Sequence, residues 1–126
     1  MSGNKILDTN ILIYLSKQTL SLKDVISPDE LAFISIITYM EAMGYPFKDK
    51  NEEALIHDLC KTIPIINLTD DIVEEVLRIR KKKKIKLPDV IIFASAKVNA
   101  LSLVTVNKRD FKGLNGNVKV INPLKA

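Results

Sequence analysis

Four acids in this chain stand where a plain surface charge is a poor explanation: Asp8, Glu41, Asp89 and Asp110. Asp8 ends the apolar run Ile6-Leu7 and is followed by Ile11-Leu12-Ile13. Glu41 lies between Met40 and Ala42, and Asp89 opens Val90-Ile91-Ile92-Phe93. Asp110 follows the run SLVTV and precedes Phe111. Each has an ordinary role open to it. Asp8 can cap a helix beginning near Thr9, Asp89 can satisfy first-turn amides, Glu41 can ride an exposed helix face, and Asp110 can hold a turn. If the four converge they repel one another and their pKa values rise, a cost that a divalent cation removes. Their donors are all hard oxygens, which select Mg2+ or Mn2+ over zinc. Such a site binds a phosphate oxygen and lowers the pKa of a water, so its chemistry is phosphodiester hydrolysis.

Convergence depends on the elements that carry these acids. Residues 4–8 (NKILD), 31–35 (LAFIS), 64–68 (PIINL), 102–106 (SLVTV) and 118–123 (VKVINP) read as short strands. Helices are expected over 9–17, 36–45, 51–63, 69–84 and 87–101, with a helical piece at 22–26 and a turn at 27–30. Asn51 is the expected N-cap of the 51–63 helix. The 69–84 helix repeats Ile72, Val76 and Ile79 at i, i+4, i+7, with acids in its first turn and cations in its last. The 87–101 helix has Pro88 in its first turn and is apolar nearly all round, which predicts a buried central helix. Residues 107–116 read as a loop or short helix. Strands alternating with helices predict an α/β fold: one domain over 1–126, with a central twisted parallel sheet of four to five short strands and helices on both faces. Ligands in such sheets bind beyond the carboxyl ends of the strands, where the strand order reverses. Asp8 and Asp110 follow strands, Glu41 lies two turns into the helix after one, and Asp89 opens a helix.

Composition narrows the classes further. The chain has 126 residues, 47% of them hydrophobic and 27% charged, which fits a single folded domain with a real core. One cysteine, Cys60, excludes an intrachain disulfide framework and fits a reducing cytoplasm. No apolar run reaches the roughly 18 residues of a membrane span, and MSGNKI lacks the features of a signal peptide, so a cytoplasmic protein is expected. The single histidine, His57, lies three residues from Cys60. Two such ligands do not make a zinc site, and one histidine rules out a nuclease working through a histidine pair. Net charge is +4, and residues 78–86 (RIRKKKKIK) hold seven of the nineteen basic residues. This run is either a solvated helix end or an edge that contacts phosphates through Arg80, Lys81, Lys82, Lys83, Lys84 and Lys86.

The motifs together resemble those of the PIN-domain ribonucleases, and in size and layout the VapC-type toxins of prokaryotic toxin–antitoxin pairs. ILDTNILIYL resembles the strand-one motif with Asp8 as its acid. SIITYMEAM has the Ser-x-x-Thr-x-x-Glu spacing at Ser35, Thr38 and Glu41. LPDVIIFASA resembles the third motif with Asp89, LVTVNKRDF the fourth with Thr105, Asn107 and Asp110, and VKVINP the last strand. Many relatives carry an acid where this chain has Asn107, which leaves Asp110 as the fourth. The resemblance implies a Mg2+- or Mn2+-dependent endoribonuclease that cuts single-stranded or loop RNA and leaves a 5′-phosphate. Asp8 and Asp89 would hold the metal directly, and Glu41 and Asp110 would hold it or orient its waters. Thr9, Asn10, Ser35, Thr38, Thr105 and Asn107 would support the acids or contact RNA. The alternatives for these are helix capping by Thr9 and Asn10 and back-bonding by Ser35 and Thr38.

The resemblance also implies a homodimer and a small antitoxin that inserts a peptide into the acidic groove. Candidate contact surfaces are Ile11 to Leu22, the helix Asn51 to Ile63, and the segments TLSLKDVI and TYMEAMGYPF, for all of which a core role is the alternative. Three rivals remain. A PIN domain can process or bind RNA without being a toxin. A haloacid-dehalogenase-type phosphatase wants a second acid two residues after Asp8, where this chain has Asn10. A non-enzymatic doubly wound domain would use the acids as caps, and would gain no stability from Mn2+.

Overall fold

In the computed structural model, which describes residues 3–114 and 116–124, five short strands form one parallel sheet. They are β1 (Lys5–Leu7), β2 (Ala32–Ser35), β3 (Ile65–Ile66), β4 (Ser102–Val104) and β5 (Val120–Ile121). The order across the sheet is β3-β2-β1-β4-β5. The chain therefore winds outward from β1 in one direction, then crosses back to add β4 on the other side. The switch point predicted for a doubly wound sheet falls between β1 and β4. The expected sheet and its strand count stand. Met1 and Ser2 of the leading segment, Asn115 of the 107–116 loop, and Lys125 and Ala126 lie outside the described residues.

The alternation of side chains along each strand divides the core between two faces. On β1, Ile6 packs with one cluster and Leu7 with the other, and the paired β4 residues Leu103 and Val104 do the same in register. One face is covered by α1 (Thr9–Ser16) and α3 (Lys50–Thr62), through Ile11, Leu12, Ile56 and Cys60. The opposite face is covered by α4 (Asp70–Lys82) and α5 (Leu87–Val98), through Ile72, Val76, Ile79 and Phe93. α2 (Ile36–Met43) straddles the edge, with Ala42 in the first cluster and Ile37 against the second. The unbroken burial of Val90 to Ala96 makes α5 the central helix that its apolar sequence predicts. Among the described residues no helix is long and apolar enough to cross a membrane.

Some boundaries differ from the sequence reading, for identifiable reasons. The N-cap of α3 is Asp49, not Asn51: the Asp49 carboxylate accepts from the amides of Asn51 and Glu52, and Asn51 is already inside the helix. Replacing Asp49 by Ala is expected to cost about 1 kcal/mol in urea unfolding, whereas Asn51→Ala, at an exposed helical position, stays within roughly 0.5 kcal/mol. The helical piece at 22–26 is a 3-10 turn over Leu22–Asp24, closed by the Ser21–Asp24 capping box. α5 ends at Val98 and not at Leu101, because Ala100 turns left-handed at φ 54°. The Leu101 amide then bonds back to Ala96 O at 2.9 Å and the Ala100 amide to Lys97 O at 3.3 Å, which closes the helix end. Ile11, Leu12, Ile13, Leu15 and Leu20 are buried in the core, so of the apolar residues between Ile11 and Leu22 only Tyr14, in part, and Leu22 reach the surface, beside the exposed Lys17, Gln18, Thr19 and Ser21.

Candidate active site

Asp8 is the first residue beyond β1, and its amide bonds to Val104 O of β4 at 2.9 Å. It stands at the switch point and is almost wholly buried. The capping reading of this residue holds. Its Oδ1 accepts from the Thr9 amide at 2.8 Å, so it caps α1. Its Oδ2 accepts from Thr105 Oγ1 at 2.7 Å and from Asn10 Nδ2 at 3.3 Å. A carboxylate offers about four acceptor positions, and three are taken here, which leaves room for one further contact.

Asn10 and Thr105 are themselves pinned. Asn10 Oδ1 accepts from the Val106 amide at 3.2 Å, and Asn10 Nδ2 also reaches Thr105 Oγ1 at 3.3 Å. Thr105 is fully buried, and its hydroxyl accepts from the Asn107 amide at 3.0 Å while donating to Asp8. Asn10 therefore does not cap α1; it ties the end of β1 to the end of β4. Asn107 contributes its amide, and its side chain caps nothing at the turn that follows.

A parallel arrangement follows β2. Ser35 is buried and caps α2, its hydroxyl accepting from the Ile37 amide at 3.1 Å, where the alternative reading is back-bonding to the helix. Thr38 is fully buried, with its hydroxyl 3.2 Å from that of Thr9. Thr9 Oγ1 in turn donates to Glu41 Oε1 at 2.5 Å. Thus Thr9, inside α1, joins Glu41, near the end of α2, to the neighbourhood of Asp8. Glu41 is otherwise exposed.

Asp89 sits in the first turn of α5, part-buried, and Asp110 is exposed on a 3-10 turn over Lys108–Phe111. The turn is fixed by Phe111, buried and stacked on Phe93 of α5 with ring centroids 6.3 Å apart. One aromatic pair therefore holds the element bearing Asp110 against the helix bearing Asp89. The carboxyls respond to one another. Asp89 has its pKa raised, first by burial, then by the negative charges of Asp8, Asp110 and Glu41, with Lys86 opposing. Asp8 is also raised, first by burial; the bonds from Thr105, the Thr9 amide and Asn10 oppose, and the Glu41 charge adds to the rise.

All four sequence-predicted acids therefore come to one end of the sheet, at its switch point. Among the described residues no three carboxylate, histidine or cysteine side chains are gathered closely enough to cage a metal ion as they stand. Glu41 is turned onto Thr9, and Asp8 is held by three donors. The donor set itself is all oxygen and fits Mg2+ or Mn2+. His57 and Cys60 lie on α3, and neither is among the hydrogen-bond or charge partners of Asp8 and Asp89.

Of the basic run, Arg80, Lys81 and Lys82 form the last turn of α4, Lys83 is its C-cap, and Lys84 is exposed beyond it. Lys86 precedes α5 and lies close enough to Asp89 to act on its charge. The sequence reading passed over a buried acid on the same helix, Glu75, which pairs with Arg78 and Lys97. Its position on the Ile72–Val76–Ile79 stripe was the available signal, since an acid on a core-facing stripe needs partners.

Comparison with known proteins places this arrangement in context. Residues 5–117 match the family model described as PIN domain. A chain of a toxin–antitoxin complex from Klebsiella pneumoniae is 37% identical, with 97% of this chain and 99% of that one covered, at a TM-score of 0.72. A chain of a DNA-bound VapBC complex from Salmonella typhimurium is 21% identical, with 98% and 99% covered, at a TM-score of 0.79. A chain of VapBC-1 from nontypeable Haemophilus influenzae is 23% identical, with 97% and 99% covered, at a TM-score of 0.76. The last two are alike in fold. No curated protein matches the chain by sequence.

Proposed function

Because the chain belongs to the PIN-domain family, we propose that it is a Mg2+- or Mn2+-dependent endoribonuclease and the toxin of a pair with a small antitoxin protein. The observation that carries this reading is the convergence of Asp8, Glu41 and Asp110 on Asp89 at the end of the sheet where the strand order reverses, the Asp89 carboxyl being raised first by burial and then by those three charges. Four acids at the switch point of a parallel sheet cost stability unless positive charge enters among them. A bound divalent ion would supply that charge to the scissile phosphate and acidify a water.

The chain's own residues prepare the site. Thr105, Asn10 and the Thr9 amide fix the rotamer of Asp8, so that its remaining acceptor position faces a defined direction. Thr9 and Thr38 place Glu41 beside it. Asp110 and Glu41, both exposed, are placed to orient or accept a proton from the attacking water. Arg80, Lys81, Lys82, Lys83, Lys84 and Lys86 offer cations to the RNA backbone.

An antitoxin would enter the same edge. An arginine among the carboxylates replaces the metal charge with a bidentate hydrogen-bonded one. Met40, Met43 and Tyr45 are exposed on and just after the helix that carries Glu41, and would take the apolar part of such a peptide. Homodimerisation would use the exposed side of α3, where Leu55 is the apolar residue.

The direct test is incubation of the protein, purified free of any antitoxin, with a panel of structured RNAs in Mg2+, Mn2+ or EDTA. Cleavage with metal and none in EDTA is the expected result. Absence of cleavage together with absence of Mn2+ binding by calorimetry would sink the proposal.

A further inference from the structure

A cleft of about 160 Å3 opens on the α4–α5 side of the molecule, and none of the four acids of the candidate active site lines it. Ile79 and Leu114 give it aliphatic walls, and Arg78, Lys82, Lys83 and Lys97 bring four cations to it against one carboxylate, that of Glu75. Helical spacing explains the choice of cations. Lys82 and Lys83 lie three and four residues beyond the buried Ile79, on the same face, while Arg80 and Lys81 point elsewhere. Only two of the six cations singled out in the basic run thus reach the cleft, and two others, Arg78 and Lys97, join them.

The cations are held in place rather than merely nearby. Glu75, buried on α4, accepts from Lys97 Nζ at 2.6 Å and from Arg78 Nη1, so both cations are fixed at the cleft. Lys83 crosses the turn at Gly113, where φ is +84° and an added Cβ would collide with Lys83 Nζ. The absence of a side chain at Gly113 is what admits that ammonium group. Neither Lys82 nor Lys83 forms an ion pair among the described residues, so two positive charges stay uncompensated.

Resting on the nuclease reading above, we propose that this cleft binds a backbone phosphate of the RNA strand at a point removed from the bond that is cut. Gly113 follows Asp110 by three residues, a reach of at most roughly 11 Å between their Cα atoms. A strand lying across the acidic edge therefore arrives at the cleft along Lys112, itself exposed. There a phosphate meets the ammonium groups, and its ribose lies against Ile79 and Leu114. This continuity with Asp110 favours the strand over an acidic stretch of a protein partner.

The test reads binding of a labelled single-stranded RNA of about twelve nucleotides by fluorescence anisotropy in EDTA, where no cutting intervenes. The double variant Lys82→Gln/Lys83→Gln is expected to bind about tenfold more weakly at low salt, with a slope of log K against log salt flatter by about 0.7 for each phosphate no longer neutralised. The charge-matched Lys81→Gln/Lys84→Gln, from the same run but outside the cleft, is expected to weaken binding only about two- to threefold. Equal losses from the two pairs would overturn the cleft in favour of a diffuse positive field. No loss from either would also overturn it and leave the cleft to an acidic protein segment. The two readings fail separately: RNA held through Lys82 and Lys83 but never cut with metal sinks the nuclease, and cutting with binding indifferent to both lysines sinks the cleft.

Discussion

Replacing Asp89 by Asn is expected to lower RNA cleavage by at least about 10²-fold while leaving the metal-free fold slightly more stable than wild type. The two effects have one cause. Asp89 is raised by burial and by three neighbouring negative charges, so its ionised form is the strained one. Neighbouring like charges cost roughly 0.2–0.5 kcal/mol each, and the first-turn position on α5 returns roughly 0.3–1 kcal/mol through the helix dipole. The balance favours the neutral amide by about 0.5 kcal/mol after allowance for partial exposure. Its pH dependence has a defined sign. Because the folded pKa lies above the unfolded one, wild type and variant are equally affected well below the ordinary carboxylate range. As pH rises from there through the folded pKa, wild type loses the Asp89 contribution that the variant never carries, and the gap is fully open above it. Mn2+ should reverse the order. Wild type gains about 2.7 kcal/mol at a hundredfold excess over Kd, and the variant gains little. Thermal unfolding with EDTA and with Mn2+, from acid to neutral pH, checks all of this. A variant less stable than wild type without metal would show that the acids do not strain one another.

The same strain explains why the site was legible before the fold was known. An acid that ends an apolar run, as Asp8 does, or opens one, as Asp89 does, conflicts with burial, and the conflict is visible in residue order alone. The strands were legible for a related reason: with helices on both faces they are continuous apolar runs, short but bounded by polar residues. What the sequence hid was pairing. Nothing local to Glu75 names Lys97, 22 residues on, as the partner that lets it be buried. Residue order alone does not separate the two cap candidates of α3, because Asp49 and Asn51 are both good caps; in the fold the Asp49 carboxylate takes the Asn51 and Glu52 amides. The end of α5 carries no stop signal in the sequence, because its left-handed residue is Ala100 and not glycine.

The pairing that matters most for the site spans 97 residues, from Asp8 to Thr105. Thr105→Val is expected to cost about 2 kcal/mol of stability and to cut activity by about 10²-fold, although valine matches threonine in shape. The hydroxyl donates to Asp8 Oδ2 and accepts from the Asn107 amide and Asn10 Nδ2, and all of this happens at a fully buried position. A methyl group in its place takes the partner from the Asn107 amide and the shorter of two bonds from Asp8 Oδ2, which keeps only Asn10 Nδ2 at 3.3 Å. Asp8 loses the strongest of the side-chain bonds that oppose its raised pKa, so its carboxyl moves further upward. The metal-dependent activity profile should then shift to higher pH as well as fall in height. Thr105→Ser keeps the hydroxyl and should restore most of both. Urea unfolding reads the first effect and a pH profile of RNA cleavage the second. A valine variant that loses stability but keeps the wild-type pH profile would mean that Thr105 supports the fold and does not position Asp8.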